Sequence, residues 1–324
     1  MAANTGAPDS GDNDEMPDRP ELSVLIATLD YPDIHQVVAS LLQQDLPASS
    51  YEVIVADSRE GAWKDIVARE AVRNPAVAVT YLQQDCDLHH RARVLNAAIQ
   101  ASRGRILVFL AGDFTPESNF TGAHLQFHQQ HPEMEAVAVG PGKFVREQTQ
   151  GPLVQWLEES GRLFGVRLGQ DDAGGFFYVG NSSAKREFIN RVGLFDEDIL
   201  FDAMDDFELG HRLRRAGMRS YHLPEAVTRH QHEHEVKLAD YANSMRMLGR
   251  SAVIFEDKYP GPQEWDAICR RTPFSLRMDA VWWRMRYALT WRPESLHRYY
   301  ISMRDAFFVE GWRRGRQRRP QTPA

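Results

Sequence analysis

From residue 21 onward the chain alternates apolar runs with amphipathic ones. LSVLIA (22–27) is short and continuously apolar, as a strand buried on both faces requires. After it, DIHQVVASLLQQD sets Ile34, Val37, Val38, Leu41 and Leu42 at offsets 0, 3, 4, 7 and 8, one face of a helix. Asp33 stands at its N-cap position, and Pro32 helps to stop the strand. The pattern then repeats. YEVIVADS (51–58) predicts a second strand, 62–73 a helix, and VAVTYL (77–82) a third strand. Residues 91–102 predict a helix ended by Gly104, RILVFL (105–110) a fourth strand and EAVAVG (135–140) a fifth. Strands alternating with helices at this interval predict βαβ units and a largely parallel sheet.

Past residue 141 the alternation weakens. Residues 141–176 are mixed, with Trp156 in an amphipathic segment. FFYVGNSS (176–183) reads as a strand ending in small polar residues, 185–192 as a helix, and DDFELGHRLRRAG (205–217) as a helix that opens on acids. RSYHL (219–223) reads as a strand, VTRHQHEHE (227–235) closes the α/β part, and 236–258 with most of 263–312 read as helical. The expected division is a leader (1–20), an α/β domain (21–235) in two halves meeting at residue 115, and a helical extension with a basic tail (236–324).

Composition changes this picture at the two ends. Residues 1–20 carry Asp9, Asp12, Asp14, Glu15 and Asp18 against Arg19, and are expected to be a disordered acidic leader. Residues 259–324 hold thirteen arginines, six acids and five of the seven tryptophans, on a chain of net charge −7. A basic aromatic tail on an acidic body points to an anionic partner such as a membrane surface. Helices packed on the body or on a second subunit, with arginines solvated, are the competing reading. The acidic body argues against a nucleic-acid partner. Two distant cysteines, no apolar run of about 20 residues and no basic-then-apolar leader give the expectation of a cytoplasmic protein, peripheral at most to the inner membrane face.

The chemistry gathers at strand ends. Thr28 and Asp30, Asp57, and Asp113 in LVFLAGDFTP all fall at one edge of the expected sheet, where open α/β sheets bind ligands. The first turn, TLDYPD, has no glycine, and no GK[ST] sequence occurs, so backbone amides of a glycine-rich turn cannot cradle a phosphate. What remains for a diphosphate is a divalent metal on a carboxylate with arginine alongside. Asp113 suits the metal; Arg91 and Arg93 in HHRARVLN suit the phosphate or base. Each feature has a plainer reading. Asp113 can cap a turn, and Asp205, Asp206 and Glu208 complement a helix dipole. Adjacent acids exceed that need, however, and raise one another's pKa toward that of a useful base. His230, His232 and His234 share one face if they lie on a strand and scatter if they do not. Asn181 and Ser182 contact an acceptor or merely make the turn.

Taken in order, SVLIATLD, YEVIVADS, RARVLNAAIQASRGRILVFLAGD, YVGNSSAKREFINRVGLFDE and MDDFELGHRLRRAG resemble the family-2 glycosyltransferases of the GT-A fold, over residues 21–235. The resemblance implies a mixed Rossmann-like sheet flanked by helices, with residues 21–115 as the nucleotide-sugar half and 116–235 as the acceptor half. It also implies a nucleotide-diphospho-sugar donor, a hydroxyl acceptor (a glycan, a lipid-linked sugar or a small molecule) and one inverting displacement. Ala27, Thr28, Asp30, Asp57, Arg91, Arg93, Asn96, Gly112 and Asp113 would line the donor site. Asp113, the last acid of the family's DxD, and His230 would hold Mn2+ or Mg2+. Asp206, with Asp205 beside it, would be the general base, and Asn181 and Ser182 would meet the acceptor. Ala111 stands where the family has the first DxD acid. That departure keeps open a member that binds nucleotide-sugar or a partner without turnover. The QxxRW of processive members does not occur, which implies single additions.

Overall fold

The computed structural model describes residues 19–28, 33–58, 61, 63–86, 90–144, 151–160, 177–199, 204–230 and 237–317. Residues 1–18 of the expected leader (1–20), Asp30, His232, His234 and the last residues of the basic tail lie outside them. Ten strands are β1 Leu22–Thr28, β2 Tyr51–Asp57, β3 Ala78–Gln83, β4 Ile106–Ala111, β5 Phe114–Pro116, β6 Ala136–Val139, β7 Gly142–Phe144, β8 Asn181–Lys185, β9 Arg219–His222 and β10 Thr228–His230. Eleven α-helices lie among the described residues: α1 Ile34–Leu41, α2 Lys64–Ala71, α3 Arg91–Ala101, α4 Phe120–Gln130, α5 Pro152–Ser160, α6 Arg186–Val192, α7 Met204–Arg215, α8 Leu238–Lys258, α9 Asp266–Cys269, α10 Pro273–Thr290 and α11 Pro293–Gln317.

Seven strands form the main sheet in the order β3-β2-β1-β4-β8-β6-β9, all parallel except β8, which runs against both β4 and β6. Every residue of β1 and β2 is buried, so the short apolar runs are sandwiched strands, as their sequence requires. A second small sheet, β5-β10-β7, stands beside the end of β4.

Four elements depart from the sequence reading: β5 and β7, where no strand was read, and β8 and α4. The strand expected at 176–183 is Asn181–Lys185, the polar NSSAK, while Phe177 and Val179 pack into the core just before it. Ser183 is tolerated at full burial because His124 Nδ1 (2.8 Å) and His128 Nε2 (2.9 Å) of α4 both reach its hydroxyl. Helix α4 itself, FTGAHLQFHQQ, was hidden because its buried face is partly histidine.

The C-terminal helices pack on the α/β body and on one another. Gly249 of α8 and Gly311 of α11 face each other's backbone, where a Cβ on either would collide with a carbonyl oxygen, of Phe308 or of Arg246. Trp265 and Trp312 both donate indole N–H bonds to Glu256 Oε1 (2.8 and 2.6 Å). Ile199 and Met204, the residues flanking the loop into α7, share a core with Phe255, Trp265, Leu276 and Phe308. Part of the basic aromatic tail, Trp265 above all, is therefore interior packing. Among the described residues no helix is long and apolar enough to cross a membrane.

Candidate active site

Three parallel strands end together. Ala56, Ala27 and Ala111 stand in register across β2, β1 and β4, and Asp57 pairs with Thr28 one step further out. Three methyl side chains in a row leave room at the carboxyl edge of the sheet, and the polar groups beyond them form its rim. Thr28 is fully buried and Ser58 nearly so, and neither hydroxyl has a hydrogen-bond partner among the described residues. A buried hydroxyl left unpaired costs about 1–3 kcal/mol, a cost that a bound polar ligand would relieve. Asp57 is buried and accepts a 2.5 Å bond from Tyr81 Oη. Burial and this carboxylate push the Tyr81 phenol far up, so it stays a donor and holds Asp57 in place.

Gly112 is buried in the turn leaving β4, and Asp113 follows it. Pairing of β5 with β10 puts His230 opposite Phe114, one residue beyond Asp113. His230 Nε2 lies 2.8 Å from Asp113 Oδ2, and its ring rests 4.6 Å from that of Phe114. Adjacent ligands of an octahedral ion, each at about 2.1 Å, stand about 3.0 Å apart, so this pair fits two neighbouring positions on a divalent metal. A nitrogen donor beside the carboxylate suits Mn2+ better than the strictly oxygen-seeking Mg2+. No cluster of three or more His, Cys, Asp or Glu occurs among the described residues, so water or ligand oxygens would complete the coordination.

Helix α7 opens with Asp205 and Asp206, whose burial is nearly complete (1% and 8% exposed). Arg91, the first residue of α3, grips both. Its Nε (2.9 Å) and Nη2 (2.5 Å) donate to the two oxygens of Asp205, and Nη2 also donates to Asp206 Oδ1. The Val179 N–H donates to Asp206 Oδ2 at 3.2 Å, and the Asp206 N–H to Asp205 Oδ1 at 3.0 Å. The two carboxyls part company. Burial pushes Asp206 up to about 8, Arg91 only partly opposing it and Asp205 adding to it. Burial acts on Asp205 too, but the bidentate guanidinium outweighs it and holds that carboxyl below its ordinary value.

Several expected site residues have different surroundings from those their sequence position suggested. Arg91 is committed to the acid pair rather than standing ready for a phosphate. Arg93 is exposed on α3. Asn96 is buried, bonding the Phe195 carbonyl, the Phe195 N–H and Glu197 (2.9 Å each), so it pins the segment before α7. Asn181 is fully buried, donating to the Ala226 (2.7 Å) and Pro141 (3.3 Å) carbonyls and meeting His124 Nε2 (3.1 Å). Ser182, also fully buried, donates to the Tyr178 carbonyl at 2.5 Å. Both open β8, just after the turn that presents the Val179 N–H to Asp206, and their side-chain polar atoms are taken up by protein partners. Glu208 is used structurally, taking Arg212 (2.6 and 2.7 Å) and Tyr259 Oη (2.5 Å). Tyr81 and Val179 were missed in the sequence: a backbone N–H has no side-chain signature, and the partner of Asp57 lies on the next strand.

Residues 20–247, well over half the chain, match the family described as Glycosyltransferase like family 2. A short stretch of 56 residues is 41% identical to the uncharacterized glycosyltransferase YfnE of Bacillus subtilis (strain 168), covering 17% of this chain and 14% of that protein. This chain thus spans only a small part of the curated relative it matches. Among solved structures, the mannosyltransferase PcManGT from Pyrobaculum calidifontis, in complex with GDP-Man and Mn2+, superposes with a TM-score of 0.66 at 18% identity, over 93% of this chain and 88% of that one. S. aureus TarS superposes with a TM-score of 0.53 at 12% identity, over 90% and 55%.

Proposed function

We propose that this chain, which belongs to the glycosyltransferase-like family 2 and has the GT-A fold, moves a sugar from a nucleotide-diphospho-sugar to an acceptor hydroxyl with inversion. The observation that carries this reading is the pair of buried acids at the head of α7, one held ionised by Arg91 and the other raised toward the pKa of a working base. The GDP-Man and Mn2+ bound by PcManGT support the donor class and the metal.

In this mechanism Asp206 Oδ2 takes the proton of the acceptor hydroxyl. The freed oxygen attacks the anomeric carbon from the face opposite the diphosphate, and the bond from that carbon to the diphosphate oxygen breaks. Asp206 keeps its aim because Arg91 fixes Oδ1, while the long Val179 bond leaves Oδ2 able to accept a substrate proton. Asp205 keeps Arg91 in position and, staying ionised itself, resists sharing charge with Asp206. Thr28, Ser58 and Asp57 offer the nucleoside a buried rim of donors and acceptors. Asp113 and His230 would hold Mn2+ or Mg2+, which when bound supplies positive charge beside the leaving diphosphate. The absent QxxRW supports one addition per encounter.

The test is a panel of nucleotide-diphospho-sugars incubated with candidate hydroxyl acceptors and Mn2+, the product being read by NMR. The reading expects nucleoside diphosphate release and a glycoside of opposite anomeric configuration to the donor. A product of retained configuration would overturn the single displacement.

A further inference from the structure

Helix α10 has two apolar sides. Leu276 and Ala280 are buried and Trp283 and Tyr287 half-buried on the side toward α11. Phe274, Met278, Val281, Trp282, Met285 and Leu289 are all exposed, Leu289 to 82%. At about 100° per residue these six fall within an arc of about 120° on the other side. This explains why the stretch shows no single stripe in sequence: one face is core and the other is solvent-facing. Trp291, 75% exposed and held in the left-handed region (φ 53°), ends the helix, its ring 5.8 Å from that of Tyr287. A contiguous row of large apolar side chains on the outside of a fold marks an interaction surface, whereas isolated ones do not.

The rim of this face is cationic. Arg277 and Arg284 flank it on one side and Arg286 on the other, with Arg292 just past its end. Arg277 is tied to Glu310. Arg284, Arg286, Arg292 and Arg298 make no ion pair among the described residues; Arg286 and Arg298 lie over the Trp283 ring at 5.4 and 5.6 Å. The one acid of α10, Asp279, is already neutralised by Arg271 at 2.6 Å.

We infer that the outer face of α10 is a docking surface for an anionic lipid bilayer, on which the helix lies parallel to the membrane. Bulky apolar and tryptophan side chains enter the boundary between acyl chains and headgroups, while the flanking guanidinium groups meet the lipid phosphates. A second copy of the chain fits this face poorly. Pairing it with itself would bring the same unpaired arginines together, with no free carboxylate on α10 between them. The inference uses none of the residues proposed for sugar transfer and stands or falls separately from that reading.

Co-sedimentation of the full chain with vesicles tests it. The protein should pellet with 1:1 phosphatidylcholine:phosphatidylglycerol vesicles at low salt and stay in solution with pure phosphatidylcholine, and high salt should release it. Arg284→Gln with Arg286→Gln should lower the partition about thirtyfold, at about fivefold per cation. Trp282→Ser with Leu289→Ser should abolish pelleting. All four sites are exposed, so thermal melts of these variants should match wild type, which separates lost docking from lost folding. Failure of the wild type to pellet with anionic vesicles would overturn the inference. So would pelleting that ignores the variants, or a dimer in light scattering that the Trp282/Leu289 variant dissociates.

Discussion

Asp205 and Asp206 are the same side chain at adjacent positions, and their surroundings separate their protons. The bidentate contact of Arg91 goes to Asp205, which leaves Asp206 with one guanidinium contact, a long backbone bond and the penalty of burial. Because a general base must be ionised to act, the proposed mechanism expects kcat/KM to rise with pH through an apparent pKa near 8, a value belonging to the coupled pair. The same shift acts on stability. A carboxyl raised from 3.8 to about 8 in the folded state stabilises the fold fully below 3.8, and that contribution is lost as pH rises through about 8. Asp206→Asn, which cannot titrate, should therefore lose less thermal stability than wild type between pH 6 and 9. Melts at both pH values check this, and parallel losses would contradict it. At the proposed metal pair, Asp113→Ala should weaken nucleoside diphosphate binding in Mn2+ and change little in EDTA. Titration calorimetry under both conditions decides; equal affinity in Mn2+ would leave Asp113 as a turn residue held by His230.

Among the elements, the parallel strands were legible because their chemistry is local: a run such as LSVLIA can be buried only one way. β8 and α4 were not, because each makes sense only through the other. A strand of asparagine and serine is a poor core strand until two histidines from a helix some 60 residues away complete its hydrogen bonds. The candidate site divides along the same line. Asp113 and the acids of α7 announced themselves by position, whereas the engagement of Arg91 with those acids spans more than a hundred residues and has no sequence signature. Small residues carry a similar non-local meaning in the C-terminal helices. Gly311 has nothing unusual around it in sequence, yet it lets α11 touch the backbone of α8. Gly311→Ala should cost about 1–3 kcal/mol by overpacking that crossing. A thermal melt should show a drop of several degrees; an unchanged midpoint would mean that the helices do not meet at this glycine.

In the whole molecule, the C-terminal helices and the site are mechanically joined. Lys258 reaches Asp196 (2.5 Å) and Asp198 (3.0 Å), Tyr259 reaches Glu208, and Phe255 packs on Phe207 with ring centroids 5.2 Å apart. These contacts hold the loop before α7 and the outer part of α7 itself, so the extension helps to seat the acids. This member of the glycosyltransferase-like family 2 thus sets its candidate base at a junction of three parts. Arg91 comes from the half that ends at the carboxyl edge, Val179 from the turn before the antiparallel strand, and α7 from a helix anchored by the extension. The most direct test of this account is turnover of Asp206→Asn measured beside its affinity for the donor. The account predicts transfer slowed by about 10²–10⁴, as loss of a general base costs, with the donor dissociation constant within a few-fold of wild type. Turnover within tenfold of wild type would contradict it.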